Sequence, residues 1–298
     1  MASVKKQMKW LIVGGYGQLG RAMQAELSRS RVTFVALDHA QLDITNGSEI
    51  ARVFGSEKPD VVLNAAAWTN VDAAEGAEGA AGLVNAFGAG AVARECAVIG
   101  ARLIHISTDF VFSGIGEFPW AEDSRPAPVS AYGRTKAEAE RVVGEFSPKD
   151  LFIVRTAWLY SPWGKNFVKT MVRLALRETR AVEVVHDQIG QPTSARDLAT
   201  QIRKMIEHDV SPGIYHGTNS GQASWFEFAQ YIFELSGADP ARVVPIDSVH
   251  YPQRAKRPSY SVLGHQRWFD EGMTPMRSWR EALEDVLPLV ISAVELGE

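Results

Sequence analysis

The sequence predicts an α/β protein, a doubly wound parallel sheet of Rossmann type with a smaller, loop-rich C-terminal substrate domain. Three observations carry that prediction. Five short runs rich in β-branched residues recur early in the chain, and none alternates apolar with polar as a half-exposed strand would. Amphipathic stretches of crossover length separate them, the pattern of strand, helix and parallel strand. The first run also ends in spaced glycines immediately before a helix.

Taken in order, the first strand is Lys9 to Val13 ("KWLIV"), and Gly14, Gly17 and Gly20 follow it at three-residue intervals. Glycine lets the backbone turn tightly and approach a pyrophosphate, while the helix opening at Gln18 and Leu19 offers unpaired N–H groups and a partial positive charge. This turn is expected to bind the phosphates of a dinucleotide. Helix Gln18 to Ser30 leads to a second strand, Phe34 to Asp38, whose final carboxylate stands where it would bond a ribose 2′-hydroxyl and repel a 2′-phosphate. That favours NADH, while Arg21 and His39 leave room for NADPH. Asp43 and Ile44 in "LDITN" are assigned to the adenine end of the cofactor, with capping of the helix after Thr45 as the other reading of Asp43. Helix Gly47 to Gly55 precedes the third strand, Val61 to Asn64, and the small residues Ala65, Ala66 and Ala67 let backbone approach the cofactor. Helix Gly79 to Ile99 is crowded with Gly and Ala, so something packs closely against it. The fourth strand, Arg102 to Ser107, runs into Thr108 and Asp109 at the carboxyl edge, where open sheets bind ligands. Helix Tyr132 to Phe146 and strand Leu151 to Thr156 complete a dinucleotide-binding domain assigned to residues 1–160.

Residues 161–298 read as mainly substrate-binding, with some segments expected to return to the first domain. Helices Asn166 to Glu178, Ala195 to Glu207 and Ser224 to Leu235 are set among loops such as "HDQIGQPTSARD", "SPGIYHGTNSG" and "YPQRAKRPSYSVLG".

Bulk composition excludes several classes of function. With 298 residues, 46% hydrophobic and 22% charged, the chain has the makings of an ordinary globular core, and a net charge of −4 gives no basic footprint for nucleic acid. The apolar run after the N-terminal lysines stops at Gly14, too soon for a signal peptide or a membrane span, so a cytoplasmic protein is expected. Cys96 stands alone in a helical stretch and reads as a buried structural thiol. His105, His186 and His216 are scattered, with no zinc motif around them, and no metal is expected. No G-x-S-x-G elbow of a serine hydrolase occurs.

The chemistry gathers in "VSAYGRTKAEAE", where Tyr132 and Lys136 stand four residues apart on one helix face. An ammonium near the phenol would favour phenolate and lower the tyrosine pKa into a useful range. Thr108 supplies a hydroxyl at the neighbouring strand end. Each has a plain alternative: Thr108 as a turn cap, Tyr132 as a packed ring, Lys136 as a solvated helix residue.

Through these residues the chain resembles the extended short-chain dehydrogenase/reductases, and within them it is most similar to the dTDP-4-dehydrorhamnose reductase family. The likeness runs over nearly the whole length, through "GGYGQLG", "PDVVLNAAAWTNVDAAE", "STDFVFSG", "YGRTKAEAE", "RTAWLY", "NFVKTM", "DQIGQPT" and "RPSYSVL". It departs at Ala73, where the family often has Lys, and at Tyr260, where it often has Asn. The resemblance implies that Thr108, Tyr132 and Lys136 are catalytic, with Tyr132 and Lys136 also touching NADPH or NADH. It implies that Asp109, Phe110 and Trp158 meet a dTDP-linked keto-deoxysugar, and that the loops of Gln191 and Arg257 lie near its diphosphate. Trp158 could equally be a packed core ring, and Arg257 a surface residue. The implied reaction is reduction of a 4-keto sugar, with dTDP-L-rhamnose as product and a homodimer among the expected assemblies. An epimerase or dehydratase of the same superfamily, and a non-catalytic dinucleotide-binding regulatory subunit, are the competing readings.

Overall fold

The computed structural model describes residues 8–297 apart from 147, 149 and 252, so the N-terminal lysines lie outside the described residues. The first half runs β1 (Trp10–Val13), α1 (Gln18–Arg29), β2 (Phe34–Leu37), α2 (Gly47–Glu57), β3 (Val61–Asn64) and a short α3 (Val71–Ala74). One helical passage follows, made of α4 (Glu78–Gly82), a π turn (Leu83–Gly88) and α5 (Ala89–Ile99), then β4 (Arg102–Thr108), α6 (Ala131–Glu145) and β5 (Leu151–Thr156). The second half supplies β6 (Leu159–Tyr160), α7 (Phe167–Arg177), β7 (Val182–Val185), β8 (Ile189–Gly190), β9 (Thr193–Ser194) and α8 (Ala195–Glu207). After these come β10 (Gly213–His216), β11 (Ala223–Ser224), α9 (Trp225–Leu235), β12 (Val243–Ile246), α10 (Gln266–Asp270) and α11 (Trp279–Glu295).

Six strands form one parallel sheet in the order β10-β5-β4-β3-β1-β2. The order reverses between β1 and β3, and that switch opens a crevice at the carboxyl ends of the strands. Both faces are covered, which is why the strands read as unbroken apolar runs. Trp10 and Ile12 pack with α1 and α8 on one face, while Leu11 and Val13 pack with α2, α5 and α6 on the other. A third core joins α7, α9 and α11 to the β7–β12 pair.

Two elements correct the sequence reading. "SPGIYHGTNSG" contains β10, which pairs with β5 and closes the sheet edge, where a loop was expected. The helix Trp279–Glu295 was assigned nowhere, and it carries Pro288 inside. The crowded glycine helix does have its close neighbours: a Cβ on Gly88 would lie 2.8 Å from Ile44, and one on Gly90 would lie 2.5 Å from Val142. The passage Glu78–Ile99 has the length and apolarity of a membrane span, but more than half of its most apolar window is buried inside the fold. Cys96 is fully buried, and burial pushes its thiol up, far from reactivity.

Candidate active site

A cavity of about 1110 Å³ lies along the carboxyl edges of β1, β3, β4 and β5, with the second half forming its far wall. Its floor is the glycine turn. Gly14 has φ +78°, and a Cβ there would lie 2.6 Å from the Ala66 amide nitrogen. A Cβ on Gly20 would lie 2.4 Å from the carbonyl oxygens of Gly14 and Gly15, so helix and turn are in backbone contact. On Gly17 it would meet only the Gly14 carbonyl, at 3.4 Å, and otherwise open space. No side chain caps the start of α1, so the turn at Gly17, Gln18, Leu19 and Gly20 presents bare backbone to the cavity. These are the dimensions of a phosphate cradle.

Asp43, Ile44, Ala65, Ala66 and Ala67 also line the cavity. Asp43 spends one oxygen on the backbone and hydroxyl of Thr45, at 2.9 and 2.8 Å, and these bonds hold its carboxyl below the usual range. The cap of α2 is Asn46 instead. Asp38 is not on the wall. Its carboxylate turns back to accept the Gln41 N–H at 3.0 Å, closing its own turn, and His39 takes the place facing the cavity.

Thr108, Asp109, Phe110, Tyr132 and Lys136 come together on one wall. Ladder pairing fixes the height of Thr108, opposite Thr156 on β5, and the Ser130 side chain caps α6 just before Tyr132. A buried charge cluster sits behind them: Arg155 grips Glu140 through bonds of 2.9 and 2.7 Å, and Ser107 donates to Glu140 at 2.5 Å. Asn85, in the π turn, bonds Trp68 and the Thr135 hydroxyl and so ties the loop after β3 to α6.

The electrostatics differ from expectation at the tyrosine. Burial pushes the Tyr132 phenol up to about 12, helped by the charge of Asp109 and opposed by the Thr108 hydroxyl. Lys136 does not offset this. Its ammonium donates to the Ile106 carbonyl at 2.6 Å and lies 3.4 Å from His105 Nε2, and burial brings it down to about 8. Spacing of four residues puts both side chains on the same face, but the carbonyl at the end of β4 takes the lysine's charge. His105 is held well below its ordinary value by burial and then by Lys136, so it is neutral.

The far wall is made differently. Trp158 has φ +45° and stacks on Trp225, with centroids 3.5 Å apart and planes 9° apart, and both rings face the cavity. Gly190 makes room, since a Cβ there would lie 2.6 Å from the Trp158 ring. Arg257 reaches the rim and pairs with Asp72 at 3.0 Å. Gln191 does not reach the cavity; it is buried, taking the Leu263 N–H at 2.8 Å and the Thr218 hydroxyl at 2.9 Å on one oxygen. Gln18 links the two walls, its oxygen accepting from Ser161 at 3.1 Å and Asn166 at 3.0 Å. Trp225, Lys165 and Thr156 also line the site and were not singled out in the sequence. Trp225 had a signal: it opens a helix behind a capping box at Ser224 and Glu227, where a ring cannot yet be shielded by a preceding turn. Tyr260, at the position where Asn was expected, donates to Gln222 at 3.2 Å instead of reaching the cavity.

The model of the RmlD substrate binding domain family matches residues 8–291. The chain is 45% identical to a dTDP-4-keto-6-deoxy-D-glucose reductase of Streptomyces niveus over 283 residues, covering 95% of this chain and 97% of that one. It is 43% identical to a dTDP-4-dehydrorhamnose reductase of Streptomyces griseus, covering 94% and 93%. Among solved structures, the dTDP-4-dehydrorhamnose reductase of Bacillus anthracis in complex with NADP superposes with a TM-score of 0.91 at 39% identity, covering 95% of this chain and 99% of that one.

Proposed function

The chain belongs to the RmlD substrate binding domain family, and on that premise we propose that it is an NADPH-dependent oxidoreductase reducing the C4 keto group of a dTDP-4-keto-6-deoxyhexose. dTDP-4-dehydro-L-rhamnose is the proposed substrate and dTDP-L-rhamnose the product. The observation that carries this reading is that Thr108, Tyr132 and Lys136 share one cavity with the bare glycine turn. The reading extends to a cytoplasmic enzyme whose residues 1–160 hold the cofactor and whose residues 161–298 mainly hold the sugar nucleotide.

The residues fit a nicotinamide dinucleotide. Gly14, Gly17 and Gly20 leave the space a pyrophosphate needs, and Thr156 Oγ1 is buried at the wall with no hydrogen-bond partner among the described residues. His39 at the cavity wall leaves room for a 2′-phosphate, and NADPH is the proposed form, as the NADP complex of the Bacillus anthracis relative supports. The reduced nicotinamide supplies the hydride when bound. Charge then builds on the ketone oxygen, and Tyr132, which keeps its hydrogen through the neutral range, gives it up there. Lys136, anchored by Ile106 O, holds a positive charge beside the ribose site. Thr108, hydrogen-bonded to the phenol, positions Tyr132.

Incubation with dTDP-4-dehydro-L-rhamnose, and in parallel with dTDP-4-keto-6-deoxy-D-glucose, tests the proposal with each reduced cofactor and NMR of the product. Stoichiometric loss of NADPH with a new C4 alcohol is expected. Product without net cofactor consumption would assign an epimerase or dehydratase instead, and no turnover of either sugar would leave a regulatory subunit.

A further inference from the structure

Thr108 has one hydroxyl hydrogen, and the structure shows where it goes. Its oxygen donates to Asp109 Oδ1 at 3.0 Å and accepts the Phe110 N–H at 3.2 Å. A hydrogen so committed to the carboxylate is withheld from the Tyr132 phenol, the hydroxyl's other hydrogen-bond partner. Asp109 itself is 1% exposed, lines the cavity, and leaves Oδ2 without a hydrogen-bond partner. An ionised oxygen in that position carries a heavy desolvation cost, and the carbonyl of a neutral carboxyl carries far less. Burial acts on Asp109 first and favours the neutral form, against hydrogen bonds from Ser261 in the loop before α10, from Thr108 at the end of its own strand and from the Asp109 and Phe110 N–H groups, while Tyr132 faces it from α6. Among the described residues none of its interactions is with a lysine or arginine. With the proton on Asp109 the bond to Thr108 reverses: the carboxyl donates, the threonine oxygen accepts, and the threonine hydrogen is released towards the phenol.

We propose that Asp109 works as a neutral acid at the far end of a proton relay, passing through the Thr108 hydroxyl to the Tyr132 phenol. This rests on the reductase reading above. As the C4–H bond forms and the carbonyl π pair moves onto O4, O4 takes the phenol hydrogen and the phenolate takes the Thr108 hydrogen. The threonine oxygen takes the proton of Asp109, which is left as a carboxylate. One proton leaves Asp109 and one arrives at O4, so charge balances, and water restores the carboxyl after product departs. Burial raises the Asp109 carboxyl to about 6, so the relay is loaded below that pH and empties above it.

Asp109→Asn keeps the shape and a hydrogen bond to Thr108 but has no proton to release. With dTDP-4-dehydro-L-rhamnose and NADPH, turnover should fall at least about tenfold while KM for the sugar stays within about threefold. A decline in kcat through about pH 6 is expected of the parent and should be absent from the variant. Without substrate, ¹³C NMR of aspartate-labelled protein should show a carboxyl titrating near 6 in the parent and missing from the variant. Thr108→Val combined with Asp109→Asn should be no slower than the slower single variant, because both cut one path. A raised KM at unchanged kcat in Asp109→Asn would mean that Asp109 only grips the sugar, and the relay would be wrong. An Asp109 signal titrating in the ordinary carboxylate range would overturn it too, whatever the substrate. A parent that reduces neither sugar strikes the reductase reading alone, since the NMR titration judges the charge of Asp109 independently.

Discussion

The two walls of the cavity are held in place by different forces. On the first-half wall, the ladder sets positions: Val13 pairs with Asn64, Asn64 with His105, and Thr108 with Thr156, so residues one or two places beyond each strand end are delivered to the crevice by the sheet itself. On the second-half wall the strands are two residues long, and side chains do the placing, through the Trp158–Trp225 stack, the bonds of Gln191 and the Arg257–Asp72 pair. A backbone ladder holds every residue of a strand at once, whereas a single side-chain contact joins just two residues, here as far as 185 positions apart. Substitutions should therefore act on chemistry and folding at the first wall, and on substrate affinity at the second.

The largest effect is expected from Tyr132→Phe, which removes the hydrogen given to the ketone and leaves the packing intact. Turnover should drop by roughly 10² to 10⁴, with NADPH affinity, read by fluorescence titration, nearly unchanged. A variant as fast as the parent would take the chemistry away from this wall altogether. Next, Gly20→Ala places a Cβ 2.4 Å from two carbonyl oxygens and should cost about 3 kcal/mol or more in denaturant unfolding. Its counterpart on the loop of the other wall, Gly164→Ala, meets Gln18 at 3.4 Å and carries only the strain of a φ of +69°, about 1 to 2 kcal/mol. Equal losses for the two would mean that the walls are not built differently.

That difference also governs how much was legible in the sequence. The strands Val61–Asn64 and Leu151–Thr156 fall where their apolar runs end, and Arg102–Thr108 extends its run by one residue, because burial on both faces writes itself into consecutive positions. Gly14, Gly17 and Gly20 were readable because a turn in contact with its own helix tolerates nothing larger. β10 escaped notice because its four residues begin with Gly213, are followed by Gly217 and gain their stability from β5, some sixty residues earlier in the chain. α11 escaped because Pro288 interrupts a pattern that packing against α7 and α9 sustains. The spacing of Tyr132 and Lys136 gave the shared face correctly, yet not the Ile106 carbonyl that captures the ammonium, since nothing in a helix repeat reports what a neighbouring strand end offers. Gln191 and Asp38 carry the same lesson: residue type says what a side chain could bond, and the competing partner, Leu263 or Gln41, decides.

Asp109→Asn should also separate function from stability. The folded carboxyl sits above its unfolded value of 3.8, so its favourable contribution is complete below that pH and is lost as pH rises through about 6. Above that point the parent carries a buried, half-satisfied carboxylate, at a cost of up to about 3 kcal/mol. Thermal unfolding should find the variant more stable than the parent at pH 8, with the gap closing below pH 4. A variant less stable at pH 8 would mean that the carboxylate has a partner in solution. On the other wall, Trp158→Ala removes a stacked ring and should raise KM for the sugar nucleotide about fivefold, with kcat nearly kept, as loss of an aromatic contact worth about 1 kcal/mol would do.

The smallest effect is the most informative about the second wall. Arg257 pairs with Asp72 at a half-exposed rim, where such a bond contributes under about 1 kcal/mol to stability. Asp72 has a second task, accepting the Ala255 N–H at 3.0 Å. Asp72→Asn keeps an oxygen for that amide and removes the charge facing the guanidinium. If Arg257 is a phosphate ligand, Arg257→Ala should raise KM several-fold, and Asp72→Asn should leave KM unchanged or lower it by freeing the arginine. If Arg257 only latches its loop, the two variants should raise KM equally and the double variant should be no worse than either. Salt separates the same alternatives, because a diphosphate contact weakens steeply with ionic strength and a latch between two protein segments does so only slightly.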